Sequence, residues 1–264
     1  MLIAQLTDLH CRPRGEAANR MVESNMLTER ALRAVMRLDP LPDLVLITGD
    51  LAHRGEPAAY ALLADMLARN VRIPVCVIPG NHDDRAAMIA HLPGTRHEGG
   101  FVQYVVEDGP VRVVMLDTLA PGSAAGELCD ARLAWLDATL ARVPDRPTLI
   151  GMHHPPFATG LAYMDAVGLR EPRRFAEVVA RHRQVERIVC GHVHRAITAR
   201  LGHAVVSIAP SVADQVALDL RPDAPSELVL EPAGFELHAW TASSGIVSHI
   251  AYVEDYPGPF PFLP

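Results

Sequence analysis

The chain has no apolar run approaching the roughly 18 residues that a bilayer-crossing helix needs, so no membrane partner is expected. Its four cysteines, Cys11, Cys76, Cys129 and Cys190, show no CxxC spacing. Reduced thiols are therefore expected, rather than a disulfide framework or a Cys-rich zinc site. Basic residues are too few to dominate: Lys and Arg number 24 against 31 Asp and Glu, a net charge of −7. That balance argues against a broad surface for a nucleic acid duplex, which depends on clustered cations. It leaves small anionic substrates open, because bound divalent ions can set the local field whatever the net charge. No basic stretch followed by an apolar run stands near Met1, so no leader is read and a cytoplasmic location is expected. There is no internal repeat and no low-complexity tract.

Nearly half of the 264 residues, 49%, are hydrophobic, enough for a sizeable core in one large domain or in one domain with a small appendage. Short apolar runs at Leu2 to Leu6, Leu44 to Ile47, Val75 to Ile78 and Leu149 to Met152 read as strands buried on both faces. Helical periods are read between several of them: about Ala18 to Leu38, Ala58 to Ala68, Leu133 to Val143 and Phe175 to His182. Val102 to Val106 and Val111 to Leu116 flank a Gly109-Pro110 turn and predict a hairpin. Beyond Gly191 the pattern is mainly β, broken by an excursion over Asp214 to Pro232 that is rich in Pro, Asp and Glu. A tail from Tyr256 to Pro264 is expected to pack across the domain or a partner subunit. The alternation predicts an α/β sandwich of two mixed β-sheets, with sites beyond the carboxyl ends of the strands.

Five apolar segments end in polar loops. They deliver Asp8 and His10, then Asp50, then Asn81, His82 and Asp83, then His153 and His154, then His192 and His194. In extended chain, residues two apart face one side, so Asp8 can converge with His10 and His192 with His194. Adjacent Asn81 and His82 diverge, which suggests different jobs. Gly49, Gly80 and Gly191 precede Asp50, Asn81 and His192, where sharp turns and close approach are needed. Carboxylate, amide oxygen and imidazole without obligatory thiolate suit Mn, Fe, Zn or Co. A carboxylate such as Asp50 can bridge two ions.

In this order, Asp8-Leu9-His10, Gly49-Asp50, Gly80-Asn81-His82-Asp83, His153-His154-Pro155 and Gly191-His192-Val193-His194 resemble the motifs of the calcineurin-like metallophosphoesterases. The resemblance covers roughly residues 1 to 210. Softer likenesses, among them Met115-Leu116-Asp117-Thr118 and Glu231-Pro232-Ala233-Gly234-Phe235, point to the bacterial branch with class III cyclic nucleotide phosphodiesterases and glycerophosphodiesterases. The resemblance implies a four-layer α/β/β/α sandwich. A catalytic domain would span 1–210, with a β-rich extension over 211–264 that caps the site or pairs subunits into a homo-oligomer. It further implies two metal ions: one held by Asp8, His10, Asp50 and His194, the other by Asp50, Asn81, His153 and His192. Asp50, Asn81 and His82 would be catalytic, with a metal-bridging hydroxide attacking phosphorus and His82 assisting the leaving group.

The implied reaction is hydrolysis of small phosphodiesters, either 3′,5′-cyclic nucleotides such as cyclic AMP or glycerophosphodiesters. The alternatives are a broad-specificity phosphomonoesterase and a non-catalytic metal-binding scaffold. Where related phosphatases often carry an acidic residue after Gly-Asp, this chain has His53, either a surface residue or a donor to substrate or ligand. His154 is expected beside the ligands or facing substrate, Asp83 to orient His82 or cap a turn, and His97 to be able to overhang the site. Tyr163, Met164 and Asp165 fall in a candidate lid.

Overall fold

The computed structural model describes residues 1–262, so the last two residues of the expected tail, Leu263 and Pro264, lie outside the described residues. In chain order the elements are β1 (Leu2–Leu6), α1 (Ser24–Met36), β2 (Leu44–Thr48), α2 (Pro57–Asn70), β3 (Val75–Ile78), α3 (Arg85–His91), β4 (Tyr104–Val106), β5 (Arg112–Leu116), α4 (Asp130–Ala141), β6 (Thr148–Met152), α5 (Ala162–Ala166), α6 (Pro172–Arg181), β7 (Val185–Cys190), β8 (Ile197–Leu201), β9 (Ala204–Ile208), β10 (Gln215–Val216), β11 (Leu228–Val229), β12 (Gly234–Thr241) and β13 (Gly245–Tyr252).

Two mixed sheets result. One runs β13-β12-β1-β2-β3 and the other β4-β5-β6-β7-β9-β8, with β10 and β11 as a small separate pair. Within them β1-β2-β3 and β5-β6-β7-β9 are parallel. The inner strands are apolar on both faces because both faces are covered. One core joins the first sheet to α1 and α2 and, through Val113, Met115, Leu149 and Val189, to the second sheet. The other joins the second sheet to α4 and α6. The order is helix, sheet, sheet, helix, the predicted sandwich. A polar tie crosses between the sheets: the buried Gln5 amide donates to the Cys190 carbonyl at 2.8 Å, and within the first sheet it donates to Thr48 Oγ1 at 2.9 Å. Among the described residues no helix is long and apolar enough to cross a membrane.

One expectation needs correction. The first helix begins at Ser24, not near Ala18. Ala18 and Val22 pair across a tight turn in which Asn19 (φ 49°) and Arg20 (φ 66°) are left-handed, and that conformation cannot propagate a right-handed helix. Of the expected tail, Phe260 and Phe262 are exposed on this chain and do not pack across its own domain, one of the two alternatives. Short helix α3 escaped the periodicity search, although its start is chemically marked: Asp84 caps it by accepting the Ala87 amide at 2.8 Å.

Candidate metal centre

The parallel strands end in register. Leu6 pairs with Ile47 and Thr48 with Ile78 in the first sheet, and Leu116 pairs with Met152 in the second. The loops after β1, β2 and β3 therefore stand level and face the loops after β6 and β7 across the seam of the sandwich. All seven residues expected to bind metal gather there, together with His82, His53 and His154.

Asp8, His10, Asp50 and His194 each place a donor atom within 4.8 Å of the others. His10 Nε2 lies 3.7 Å from Asp50 Oδ2, and His194 Nε2 lies 3.3 Å from Asp8 Oδ1. On the other side of Asp50, His153 Nε2 is 3.5 Å from its Oδ1. Asn81 Oδ1 sits 3.2 Å from His153 Nε2 and 2.9 Å from His192 Nδ1. Asp50 thus stands between two donor sets.

The outward ring nitrogens determine what the inward ones offer. His153 Nδ1 donates to the Thr48 carbonyl at 2.8 Å, His194 Nδ1 to the Asp214 carbonyl at 2.7 Å and His192 Nε2 to the Val167 carbonyl at 3.1 Å. Each inward nitrogen of a neutral ring then carries a lone pair. Those lone pairs meet carboxylate and amide oxygens, and His10 Nε2 approaches His194 Nε2 to 3.1 Å. Acceptors crowded this closely need cations among them, so the residues present fit a pair of metal ions.

The electrostatics draw positive charge to the same atoms, so protons and metal ions compete for the inward nitrogens of His153 and His194. Burial opposes ionisation of Asp8 and Asp50, yet the neighbouring histidines hold Asp8 below, and Asp50 well below, the usual carboxylate range. Burial likewise opposes protonation of His153 and His194, but the Asp50 and Asp8 carboxylates respectively lift both to about 9. Burial keeps His10 and His154 neutral and takes His192 down to about 3.

Backbone strain is concentrated at the same place. Of the eight non-glycine residues with left-handed φ among those described, five are Asp8, His10, Asp50, His192 and His194. Such conformations cost about 1–3 kcal/mol each and persist where the surroundings enforce them. Glycine is required beside them: a Cβ on Gly49 (φ +103°) would lie 2.3 Å from His153 Nδ1, and one on Gly80 2.1 Å from Asp50 Oδ1.

The structure resolves roles that spacing left open. Asp83 does not orient His82. Its Oδ2 accepts the Leu51 and Gly80 amides, and its Oδ1 accepts the Ala52 amide and the Tyr60 hydroxyl, tying the loops after β2 and β3 together. His154 is fully buried. It lies near His153 and His192, but its own nitrogens are taken by Thr118 Oγ1 at 2.8 Å and the Ala124 carbonyl at 3.2 Å. His53 is half-buried, its Nδ1 3.2 Å from His10 Nδ1 and its ring stacked on His82. Burial first, then His82, Arg12 and Arg54, push it down to about 4. His82 sits at the open rim, with Nδ1 donating to the His53 carbonyl at 2.8 Å and Nε2 4.0 Å from Asp50 Oδ2. Asp117 is structural, receiving Arg85 and the Val102 and Leu119 amides. His97 is exposed and lines no part of the site, whereas Tyr163 and Met164 do. The cavity over the donors has a volume of about 320 Å³, and Asn19, Asp214, Ser226, Glu227 and Leu228, all missed by motif reading, also line it. They carry no local signal, because long-range folding alone brings them there.

Comparison with known proteins follows the same line. The profile of the calcineurin-like phosphoesterase family matches residues 1–196. A protein of Arcobacter nitrofigilis named as a probable glycerophosphodiester phosphodiesterase is 35% identical over 99% of this chain and 97% of its own. A Rhodopseudomonas palustris protein named as a probable cyclic nucleotide phosphodiesterase is 43% identical over 83% of this chain and 81% of its own. Among solved structures, a dimetal phosphatase from Danio rerio superposes with a TM-score of 0.66, covering 96% of this chain and 99% of that one; at 16% identity this likeness speaks for the fold.

Proposed function

Because this chain belongs to the calcineurin-like phosphoesterases, we propose that it is a binuclear metal-dependent phosphodiesterase that hydrolyses small diesters, either 3′,5′-cyclic nucleotides or glycerophosphodiesters. The observation that carries this is the position of Asp50 between two sets of convergent lone pairs. One ion would be held by Asp8, His10, Asp50 and His194, and the second by Asp50, Asn81, His153 and His192. Fe, Mn, Zn and Co all suit the donors. Two such ions, when bound, supply water activation and neutralise charge on the phosphoryl group.

The chain's own groups do the rest. Thr48, Val167 and Asp214 carbonyls fix the histidine tautomers. His82 donates Nδ1–H to the His53 carbonyl, so once its Nε2 also carries a proton the ring can donate Nε2–H to a phosphoryl oxygen and pass that proton to the departing alkoxide. Asn81 orients the second set through its amide oxygen. The Tyr163–Met164 helix restricts water on one side. Of residues 211–264, the stretch that brings Ser226, Glu227 and Leu228 into the cavity wall caps the site, whereas β12 and β13 complete the first sheet beside β1 and belong to the catalytic fold itself. Sequence kinship to proteins named for both diester types supports the substrate class.

A substrate panel on metal-reconstituted protein tests this: bis(p-nitrophenyl) phosphate, p-nitrophenyl phosphate, cyclic AMP and glycerophosphocholine. Faster turnover of diesters than of the monoester, abolished by chelation, is expected. A preference for the monoester would replace the reading with a phosphomonoesterase. No turnover of any ester would leave a metal-binding scaffold.

A further inference from the structure

The cavity over the donors does not stand alone. Asn19, His53 and Leu228 form a wall shared with a second cavity of about 440 Å³, which is also lined by Arg12, Arg20 and Arg54. Arg12 is buried, and its charge is taken up by ion pairs with Glu16 and Glu56. Arg20 and Arg54 are exposed, and among the described residues neither makes a hydrogen bond or an ion pair. Two uncompensated cations therefore face one hollow beside the donor cluster, in a chain of net charge −7.

Both arginines project from anchored loops. Arg20 lies in the strained Ala18–Val22 turn, where Ala18 and Val22 exchange backbone bonds of 2.9 and 2.8 Å and pack with Ala213. A left-handed arginine is disfavoured by about 1–2 kcal/mol, so packing is spent on holding it there. Arg54 follows His53, whose amide bonds the Cys11 carbonyl at 2.9 Å, and Ala52, whose amide is held by Asp83. Asp214 and Glu227, lining the donor cavity, would repel an anion from that side.

We propose that this second cavity is a subsite for an anionic group, carboxylate or phosphate, on one ester arm of the substrate, so that the enzyme favours diesters carrying a second negative charge. The proposal rests on the diesterase reading. The chemistry is charge-assisted hydrogen bonding by two guanidinium groups to an oxyanion.

The test compares kcat/KM of the metal-loaded protein on p-nitrophenyl diesters with propyl, 2-carboxyethyl and 2-phosphoethyl arms. The anionic arms are expected to lead the propyl arm by about tenfold at low salt, and the lead should shrink as ionic strength rises. The stronger of the two anionic arms identifies the oxyanion. In an Arg20→Ala, Arg54→Ala double variant the ratio of anionic to propyl arms should fall to about one. Equal rates for the three arms in the native protein, or a preference that survives the double substitution, would overturn the subsite. If none of the three turns over, the diesterase reading fails on its own. Calorimetric titration with the matching phosphonate analogues then decides the subsite independently of rate, tighter binding of the anionic arm only with both arginines present being the supporting result.

Discussion

Two trios of histidines flank Asp50 and differ in almost everything except chemistry. His153, His154 and His192 are all buried, and four of their outward or lateral nitrogens are held by Thr48, Thr118, Ala124 and Val167. His10, His53 and His82 grade from buried to exposed and lean on one another; the His82 ring is held by Nδ1 on the His53 carbonyl, and its backbone amide donates to Asp50 Oδ1 at 2.9 Å. A buried ring with both nitrogens committed can fix geometry but cannot meet a substrate. A rim ring with one free nitrogen can. On the proposed reading, the second sheet's side holds its metal donors rigidly and the first sheet's rim presents the group that meets substrate.

The assignment can be broken in three places. Asp50 belongs to both sides, so Asp50→Ala is expected to abolish diester turnover and lower bound metal in elemental analysis; normal turnover with full metal content would remove it from the mechanism. At the rim, His82→Ala should cost about 10²–10⁴ in kcat, the scale of one acid–base group, with metal content and thermal midpoint retained. Metal loss in that variant would make His82 a ligand. On the buried side, His154→Leu should destabilise by about 3 kcal/mol in urea titration, because Thr118 Oγ1 and the Ala124 carbonyl lose their buried partner. A kinetic defect at unchanged stability would contradict the division.

The smallest effect is expected away from both trios. His238 is buried between Gln5 and Ser248, and burial, aided by Arg187, lowers it to about 3. The unfolded chain takes up that proton near pH 6.5, the folded chain only near 3. Its contribution is thus present above pH 6.5 and is lost as pH falls toward 3, about 2 kcal/mol by pH 5. His238→Gln should flatten the fall in stability between pH 7.5 and 5 by that amount; an unchanged slope would show that His238 does not carry it.

The ligand-bearing strands were legible because each is a short apolar run that stops at a polar loop, and β1, β2, β3 and β6 end within two residues of their expected limits. The first helix was overextended because the stretch after Ala18 is periodic enough, while the left-handed turn at Asn19 and Arg20 has no glycine to announce it. Asp83 was misjudged because its partners, Leu51, Ala52 and Tyr60, lie 23 to 32 residues away. His53 and His154 were ambiguous for the same reason.

Residue order alone determined the family, the sandwich and the set of donors, since local apolar patterning and short motifs encode strands and the loops that end them. Only the tertiary structure decided which nitrogen of each imidazole faces inward, that Asp50 stands between two donor sets, and that Arg20 and Arg54 share a hollow beside them. Those are relations between segments up to nearly two hundred residues apart, and they are set by register and packing across the two sheets, which no local stretch of sequence contains.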